Sequence, residues 1–306
     1  MTGAFGTVQI SESEAMLEKL NFSHVSIVLP AKNEGLAIGA TVRCVVETCP
    51  GAEIIVVDDG STDATVREAG RASAKVIFHP YSKGNGAAIK SGARAASGEI
   101  IVFLDADGQH NPADIPRLLA RLDSGYDMVV GARGKGSQAS VGRGLANALY
   151  NRMASYMTGH RIDDLTSGFR AVRAARFREF LYLLPNGFSY PTTSTMAFFR
   201  AGYSVAYEPI DAAQRVGKSH IRLLRDGVRF FLIIFKIGTL YSPLKLFGPV
   251  ALFLFLLATG WYVHTFVEFG RFTNMSALFY SASVVVFLIG LVSEQITALM
   301  YRDSDG

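Results

Sequence analysis

From His24 onward, short β-branched runs alternate with helix-like stretches, the pattern that a mostly parallel sheet with crossover helices requires. Val25 to Leu29, Glu53 to Val57, Lys75 to Phe78, Ile100 to Leu104 and Met128 to Val130 read as strands, with helices beginning near Gly35, Asp63, Gly84 and Asp114. After about Arg133 the alternation loosens. A Gly-rich stretch, a helix expected over Leu145 to Met157, and the segment Asp163-Asp164-Leu165-Thr166-Ser167-Gly168-Phe169-Arg170 follow, in the half where acceptor specificity would be built.

A different pattern takes over from Ser219 to Tyr241. Arg222, Arg225, Asp226, Arg229 and Lys236 recur at helical spacings and leave Leu223, Leu224, Phe230, Phe231, Ile234 and Phe235 for the other faces. Such a helix is suited to lie in a membrane interface. Leu246 to Phe269 and Ala277 to Leu299 are nearly free of charge, and each approaches the ~20 residues a spanning helix needs. A buried hairpin of a soluble protein would give the same runs. Trp261, Tyr262 and Tyr280, near the ends of the runs, favour two spans, because aromatic residues suit the interface.

Lys236 and Lys245 precede the first span and Arg302 follows the second, whereas the connecting loop has Arg271 balanced by Glu268. Both ends are therefore expected on the cytoplasmic side of the cell membrane. Residues 1–22 lack the layout of a secretion leader and are expected to form a tail or short amphipathic helix.

Composition agrees with a catalytic core plus an anchor: 306 residues, 49% hydrophobic and only 18% charged. A net charge of +4 is too mild to imply a nucleic-acid partner. Cys44 and Cys49 match no metal or redox spacing and read as reduced thiols.

Candidate chemistry lies where strands end. Three strands run into polar residues: Pro30-Ala31-Lys32-Asn33-Glu34, Asp58-Asp59-Gly60-Ser61 and Asp105-Ala106-Asp107. Open α/β sheets bind ligands at that edge. Alternate residues of an extended segment project to one side, so Asp105 and Asp107 can share a hard cation, Mg2+ or Mn2+, that keeps positions open for phosphate oxygens. Gln109 could add an oxygen, although a solvated acidic turn would look the same. Gly60 suits a turn and Ser61 or Asp63 a helix cap, which leaves Asp58 and Asp59 to hold a base, a ribose or the metal. Gly84-Asn85-Gly86 lacks the third glycine of a dinucleotide site. Neither Gly84 to Ser91 nor the run ending at Gly217-Lys218-Ser219 completes a nucleoside-triphosphate loop, since Ile89 and Ala212 stand where glycine is needed.

Taken in order, Val28-Leu29-Pro30-Ala31-Lys32-Asn33-Glu34, Val57 to Asp63, Lys83-Gly84-Asn85-Gly86, Phe103 to His110, Gly131-Ala132-Arg133, Thr166 to Arg170 and Arg215-Val216-Gly217-Lys218-Ser219 resemble family 2 glycosyltransferases. The branch resembled is that of dolichol-phosphate mannose synthases and bacterial polyprenyl-phosphate glycosyltransferases, and the likeness runs from about Val25 to Tyr241.

The resemblance implies an α/β GT-A domain over residues 23–218, an amphipathic juxtamembrane segment over 219–245, two transmembrane helices within 246–300 and a short tail over 301–306. It also implies a metal-dependent enzyme that takes a sugar from a GDP- or UDP-sugar and gives it to a polyprenyl phosphate. Pro30, Asn33, Glu34 and Asp58, with the Lys83-Gly84 turn, would hold the nucleotide; Asp105, Asp107 and Gln109 the metal; Arg133, Arg215 and Lys218 would face phosphates. Lys32, where the family often has an aromatic residue, and His220, where a second basic residue is frequent, leave base and sugar preference open. Another lipid or a polysaccharide remains an alternative acceptor, and an inactive nucleotide-sugar-binding scaffold an alternative role. Self-association through the hairpin helices is a further option for partners.

Overall fold

The computed structural model describes residues 22–134, 141–187, 189–211, 235, 238–239 and 241–302. All five expected strands form: β1 (Val25–Ala31), β2 (Glu53–Asp58), β3 (Lys75–Phe78), β4 (Ile100–Phe103) and β5 (Met128–Arg133). The crossover helices α1 (Ile38–Thr48), α2 (Thr65–Arg71), α3 (Asn85–Ala95) and α4 (Ile115–Asp123) begin within three residues of the expected starts.

Side-chain alternation along the strands divides the core into two layers. Ile27, Leu29, Ile54 and Val56 pack with Val42 and Val45 of α1 and Leu118 and Leu122 of α4. Val28, Ile55 and Val57 face the other way, towards Ala88 and Ile89 of α3. Burial on both faces is why these strands read as continuous apolar runs.

The second half of the domain contributes α5 (Val141–Thr158), β6 (Arg170–Arg173), α6 (Ala174–Glu179), α7 (Tyr190–Arg200) and β7 (Val205–Ile210). The sheet order is β3-β2-β1-β4-β6-β5-β7, with β6 antiparallel to both its neighbours and the other pairs parallel. Neither β6 nor β7 was legible as a strand. β6 is four residues bounded by arginines, so it has no apolar alternation to read, and β7 carries Glu208 and Pro209, which only an edge position tolerates.

The register positions the site. Ala31 of β1 lies beside Asp58 of β2, and Val28 beside Phe103 of β4, so the chain leaves all three strands at one edge of the sheet.

Beyond the sheet, α8 (Pro243–Phe269) and α9 (Asn274–Arg302) form an antiparallel hairpin turned at Gly270, which has φ 62°. Both are long and apolar enough to cross a membrane, and their apolar windows are only 11% and 17% buried, which is unlike the core hairpin of a soluble protein. Helix α8 begins slightly before the expected span, with Pro243 suited to a first helical turn. Polar contacts stitch the hairpin: Ser283 Oγ donates to Ala251 O at 2.8 Å, and the Thr259 and Tyr280 hydroxyls lie 3.0 Å apart. The hairpin also grips the sheet domain, through an Arg200–Glu294 ion pair at 3.1 Å and Lys245 Nζ donating to Met157 O at 2.8 Å.

Candidate active site

The polar ends of β1, β2 and β4 enclose a cleft of about 480 Å³. Pro30, Glu34, Asp59, Gly84, Asp105 and Asp107, all singled out by their sequence positions, line it together with Lys32, Ser82 and Asn85. Residues more than 70 positions apart thus meet because parallel strands bring their C-terminal ends to one edge.

Asp105 and Asp107 are half-buried and flank the buried Ala106, as alternation requires. The Gln109 backbone N–H donates to Asp107 Oδ1 at 3.1 Å and steadies that carboxylate. Asp105 packs on the backbone of Gly168, where a Cβ would stand 2.6 Å from Oδ2. That backbone is itself held, since Tyr190 Oη donates to Gly168 O at 2.9 Å and Arg170 Nη2 to Ser167 O. His110 lies beneath, its Nε2 3.8 Å from Asp105 Oδ2. Burial, aided by the charge of Arg133, lowers the His110 pKa and keeps the ring neutral.

Arg170 is fully buried, and burial draws its pKa down. Its charge is dispersed over Ser194 Oγ at 2.7 Å, Pro191 O at 3.0 Å and Thr195 Oγ1 at 3.2 Å, besides Ser167 O. Apart from its place in the quoted motif, no sequence signal distinguishes this arginine from the exposed ones.

The two acidic neighbours on β2 have different partners. Asp58 is buried; Oδ2 accepts from Ser61 N at 3.1 Å, while Oδ1 has no partner among the described residues. Buried acceptors are normally satisfied, which sets this oxygen apart, although Asp58, unlike Asp59, is not among the residues that line the cleft. The Asp59 carboxylate accepts from Ser82 Oγ (2.7 Å), Gly84 N (2.8 Å) and Lys83 N (2.8 Å), with His79 Nδ1 at 2.8 Å. Burial opposes its ionisation, but these bonds, led by that with His79, prevail and hold its pKa at about 2.

Asn33 and Asp63 join the first two loops. Asn33, at φ 56°, accepts from Thr62 N through Oδ1 at 2.9 Å, and its own N–H donates to Ser61 Oγ at 2.9 Å. Asp63 accepts from Thr65 N at the start of α2 and from Gly35 N, each at 3.0 Å. The exposed Lys32 Nζ donates to Ser82 Oγ at 2.8 Å, tying one rim of the cleft to the other. Lys83 points to solvent, 5.7 Å from the Tyr81 ring centroid.

The glycines at 84 and 86 serve a close approach rather than a dinucleotide turn. A Cβ on Gly86 would lie 1.9 Å from Pro185 O, and Ala87 N donates to Asn186 O at 3.0 Å. Lys90 secures the same turn through Leu184 O at 3.2 Å and the Asn186 side chain. Because the clash is with backbone, Gly86→Ala is expected to lower stability by about 3 kcal/mol, the upper part of the usual overpacking range. Chemical denaturation of the two purified proteins in the same detergent measures this.

Arg133, expected to face phosphate, is clasped by Asp164. Its Nε and Nη2 donate to the two carboxylate oxygens at 2.7 and 2.9 Å, and Nη2 also to Thr166 Oγ1 at 2.6 Å. Burial disfavours both charges, yet their pairing raises the pKa of the arginine and lowers that of the aspartate. Arg133 thereby links β5 to the segment against Asp105. Arg215, Lys218 and most of the expected amphipathic helix lie outside the described residues.

A model described as glycosyl transferase family 2 matches residues 26–181, just over half of the chain. The chain belongs to that family. A second model, the GtrB C-terminal hairpin, matches residues 242–299 of this family 2 glycosyltransferase, which include nearly all of α8 and α9.

Curated relatives include the undecaprenyl-phosphate 4-deoxy-4-formamido-L-arabinose transferases of Salmonella paratyphi B and Salmonella newport. Each is 33% identical over 168 residues, which is 52% of this chain and 51% of the relative. The chain spans about half the length of the curated relatives it matches.

Among solved structures, glucosyl-3-phosphoglycerate synthase of Mycobacterium tuberculosis with Mn2+, UDP-glucose and phosphoglyceric acid superposes with a TM-score of 0.58 at 23% identity, covering 78% of this chain and 85% of that one. The same enzyme with Mg2+ and UDP gives 0.57 at 24%, covering 70% and 78%. These likenesses establish the GT-A fold.

Proposed function

We propose that this chain transfers a sugar, with inversion, from a nucleotide-diphosphate sugar such as GDP-mannose or a UDP-hexose to the phosphate of a polyprenyl or dolichyl lipid at the cytoplasmic membrane face. The observation that carries this reading is the union, in one chain, of a cleft lined by Asp105 and Asp107 with a hairpin that matches the GtrB C-terminal hairpin. The named relatives act on undecaprenyl phosphate, which supports the same acceptor class here. In this reading residues 23–218 catalyse, 219–245 lie along the membrane and 246–300 anchor.

The donor set suits Mg2+ or Mn2+. Asp105 and Asp107 offer hard oxygen ligands on one strand end, with Gln109 beside them. Among the described residues no cluster of three or more His, Cys, Asp or Glu side chains encloses a metal, so diphosphate oxygens and water would complete the coordination. A bound cation would neutralise charge on the departing nucleoside diphosphate.

The protein's own residues bind and orient. Asp58 Oδ1 is suited to accept from the base, Pro30, Glu34 and Gly84 to wall the nucleotide, and the Ser82–Gly84 turn held by Asp59 to shape that wall, while Asn33 ties the first loop to the second. Arg215 and Lys218 are assigned to the lipid phosphate, where guanidinium can pair with two oxygens. A phosphate monoester with a second pKa near ~6 is already mostly dianionic at neutral pH, so its oxygen attacks the anomeric carbon without a strong general base. The carbon–oxygen bond to the diphosphate breaks as the new one forms.

The test is transfer of radiolabel from a panel of GDP- and UDP-sugars into an organic-extractable product, by purified protein supplied with polyprenyl phosphate, with and without Mg2+ or Mn2+. Metal-dependent labelling of the lipid is expected from one donor. Label that enters another lipid or a polymer moves the acceptor assignment; no transfer from any donor, by protein that binds nucleotide, leaves a scaffold.

A further inference from the structure

His79 follows the edge strand β3, is 6% exposed, and does not line the cleft. Its ring nevertheless sits between two elements that matter to the cleft. Nδ1 lies 2.8 Å from Asp59 Oδ1, and Nε2 lies 2.9 Å from Ser91 Oγ on α3. The backbone is pinned as well, with His79 N donating to Asp58 O at 2.9 Å.

Asp59 is ionised at neutral pH, with its pKa held at about 2, and an ionised carboxylate only accepts. Nδ1 therefore carries the proton and donates. Ser82 Oγ and Gly84 N converge on Asp59 Oδ2, and Lys83 N on Oδ1, so one carboxylate organises three consecutive residues of the cleft-lining turn. From the side of Asp59 the turn has no slack: a Cβ on Gly60 would stand 2.8 Å from Ser82 N. From the other side Asn186 O presses on Gly84, where φ is 102° and a Cβ would stand 2.4 Å away. The orientation of the Asp59 carboxylate thus sets the wall, and the ring of His79 sets that orientation.

We propose that His79 is a positioning residue for the donor, acting through Asp59 on the Ser82–Gly84 backbone. The consequence for donor affinity rests on reading the cleft as the nucleotide-sugar site; the mechanical coupling from His79 to the turn does not. An apolar side chain leaves Asp59 Oδ1 with the Lys83 amide as its one remaining donor, and the carboxylate can rotate away from the Lys83 and Gly84 amides. Losing a charge-assisted hydrogen bond of this kind corresponds to roughly a tenfold change in an equilibrium.

The experiment compares His79→Leu, His79→Asn and Ser91→Ala with the native protein by two readouts. The first is amide hydrogen exchange of peptides spanning residues 81–86, in the absence of nucleotide. The second is binding of GDP and UDP, with KM values for the preferred donor and for polyprenyl phosphate. His79→Leu is expected to speed exchange in that segment and weaken nucleotide binding, each about tenfold, leaving the acceptor KM unchanged. His79→Asn, whose amide nitrogen occupies the place of Nδ1, restores both to within about threefold. Ser91→Ala, a mild change that frees the far side of the ring, gives an intermediate effect and carries the test if His79→Leu does not fold.

Native exchange in the 81–86 segment of both His79→Leu and Ser91→Ala would overturn the proposal, as would equal losses in His79→Leu and His79→Asn. If exchange responds as expected while the native protein binds neither nucleotide, the coupling stands and the donor-site reading fails.

Discussion

Asp107→Ala is expected to reduce sugar transfer about 10³-fold, the equivalent of some 4 kcal/mol of transition-state stabilisation, without unfolding the protein. Asp107 follows β4 at the cleft and its carboxylate is steadied by the Gln109 backbone N–H, so the loss falls on the carboxylate and not on the strand. Circular dichroism and the denaturation midpoint should match those of the native protein. Raising the Mn2+ concentration should recover little, because in the proposed site the deficit would be a missing ligand rather than a weakened one. Transfer within a few-fold of native would remove Asp107 from the metal site and leave Asp105 to be explained separately.

The second large effect is expected at a residue with no side chain. A Cβ on Gly168 would stand 2.6 Å from Asp105 Oδ2 and 3.0 Å from Oδ1. The backbone cannot easily withdraw: Gly168 O is bonded by Tyr190, Ser167 O by Arg170, and Phe169 O accepts from Gly131 N at 2.9 Å. Asp105 must therefore move. A displacement near 1 Å of a catalytic group can cost about 10²-fold, and Gly168→Ala should lower kcat by about that factor while the protein stays folded. Steady-state transfer with increasing metal distinguishes the cases: a raised metal requirement points to a displaced ligand, and native kinetics would mean that the Ser167–Phe169 segment yields instead.

These expectations rest on information of two kinds. The strands ending at Ala31, Asp58 and Phe103, the acidic residues beyond them and the apolar helices of the hairpin were all legible from spacing and composition. The strands β6 and β7 were not. Arg170 enters a strand through its partners β4 and β5, and Pro209 is tolerated through an edge position, neither of which a local pattern records.

Side-chain roles divided in the same way. Asp58 and Asp59 are neighbours of one type, yet one keeps a buried oxygen without a partner among the described residues and the other is committed to His79, Ser82, Lys83 and Gly84. Arg133 stood out in the sequence as a residue expected to face phosphate, and only the fold shows that Asp164 holds it in a bidentate pair. Gly84-Asn85-Gly86 did not complete a dinucleotide or triphosphate loop in the sequence, and only the fold shows what its glycines accommodate, the backbone of Pro185, Asn186 and Gly187.

Apolar alternation and charge-free runs follow from spacing along the chain, because a strand repeats every two residues and a spanning helix needs a certain length whatever surrounds it. From these alone came the α/β domain, the edge where its acidic turns gather, and the hairpin. Which carboxylate holds a loop, which arginine is neutralised and which glycine must lack a side chain depend on contacts between residues some 20 to 100 positions apart. Those pairings arise only when the sheet closes and the helices pack, and the folded structure alone decided them.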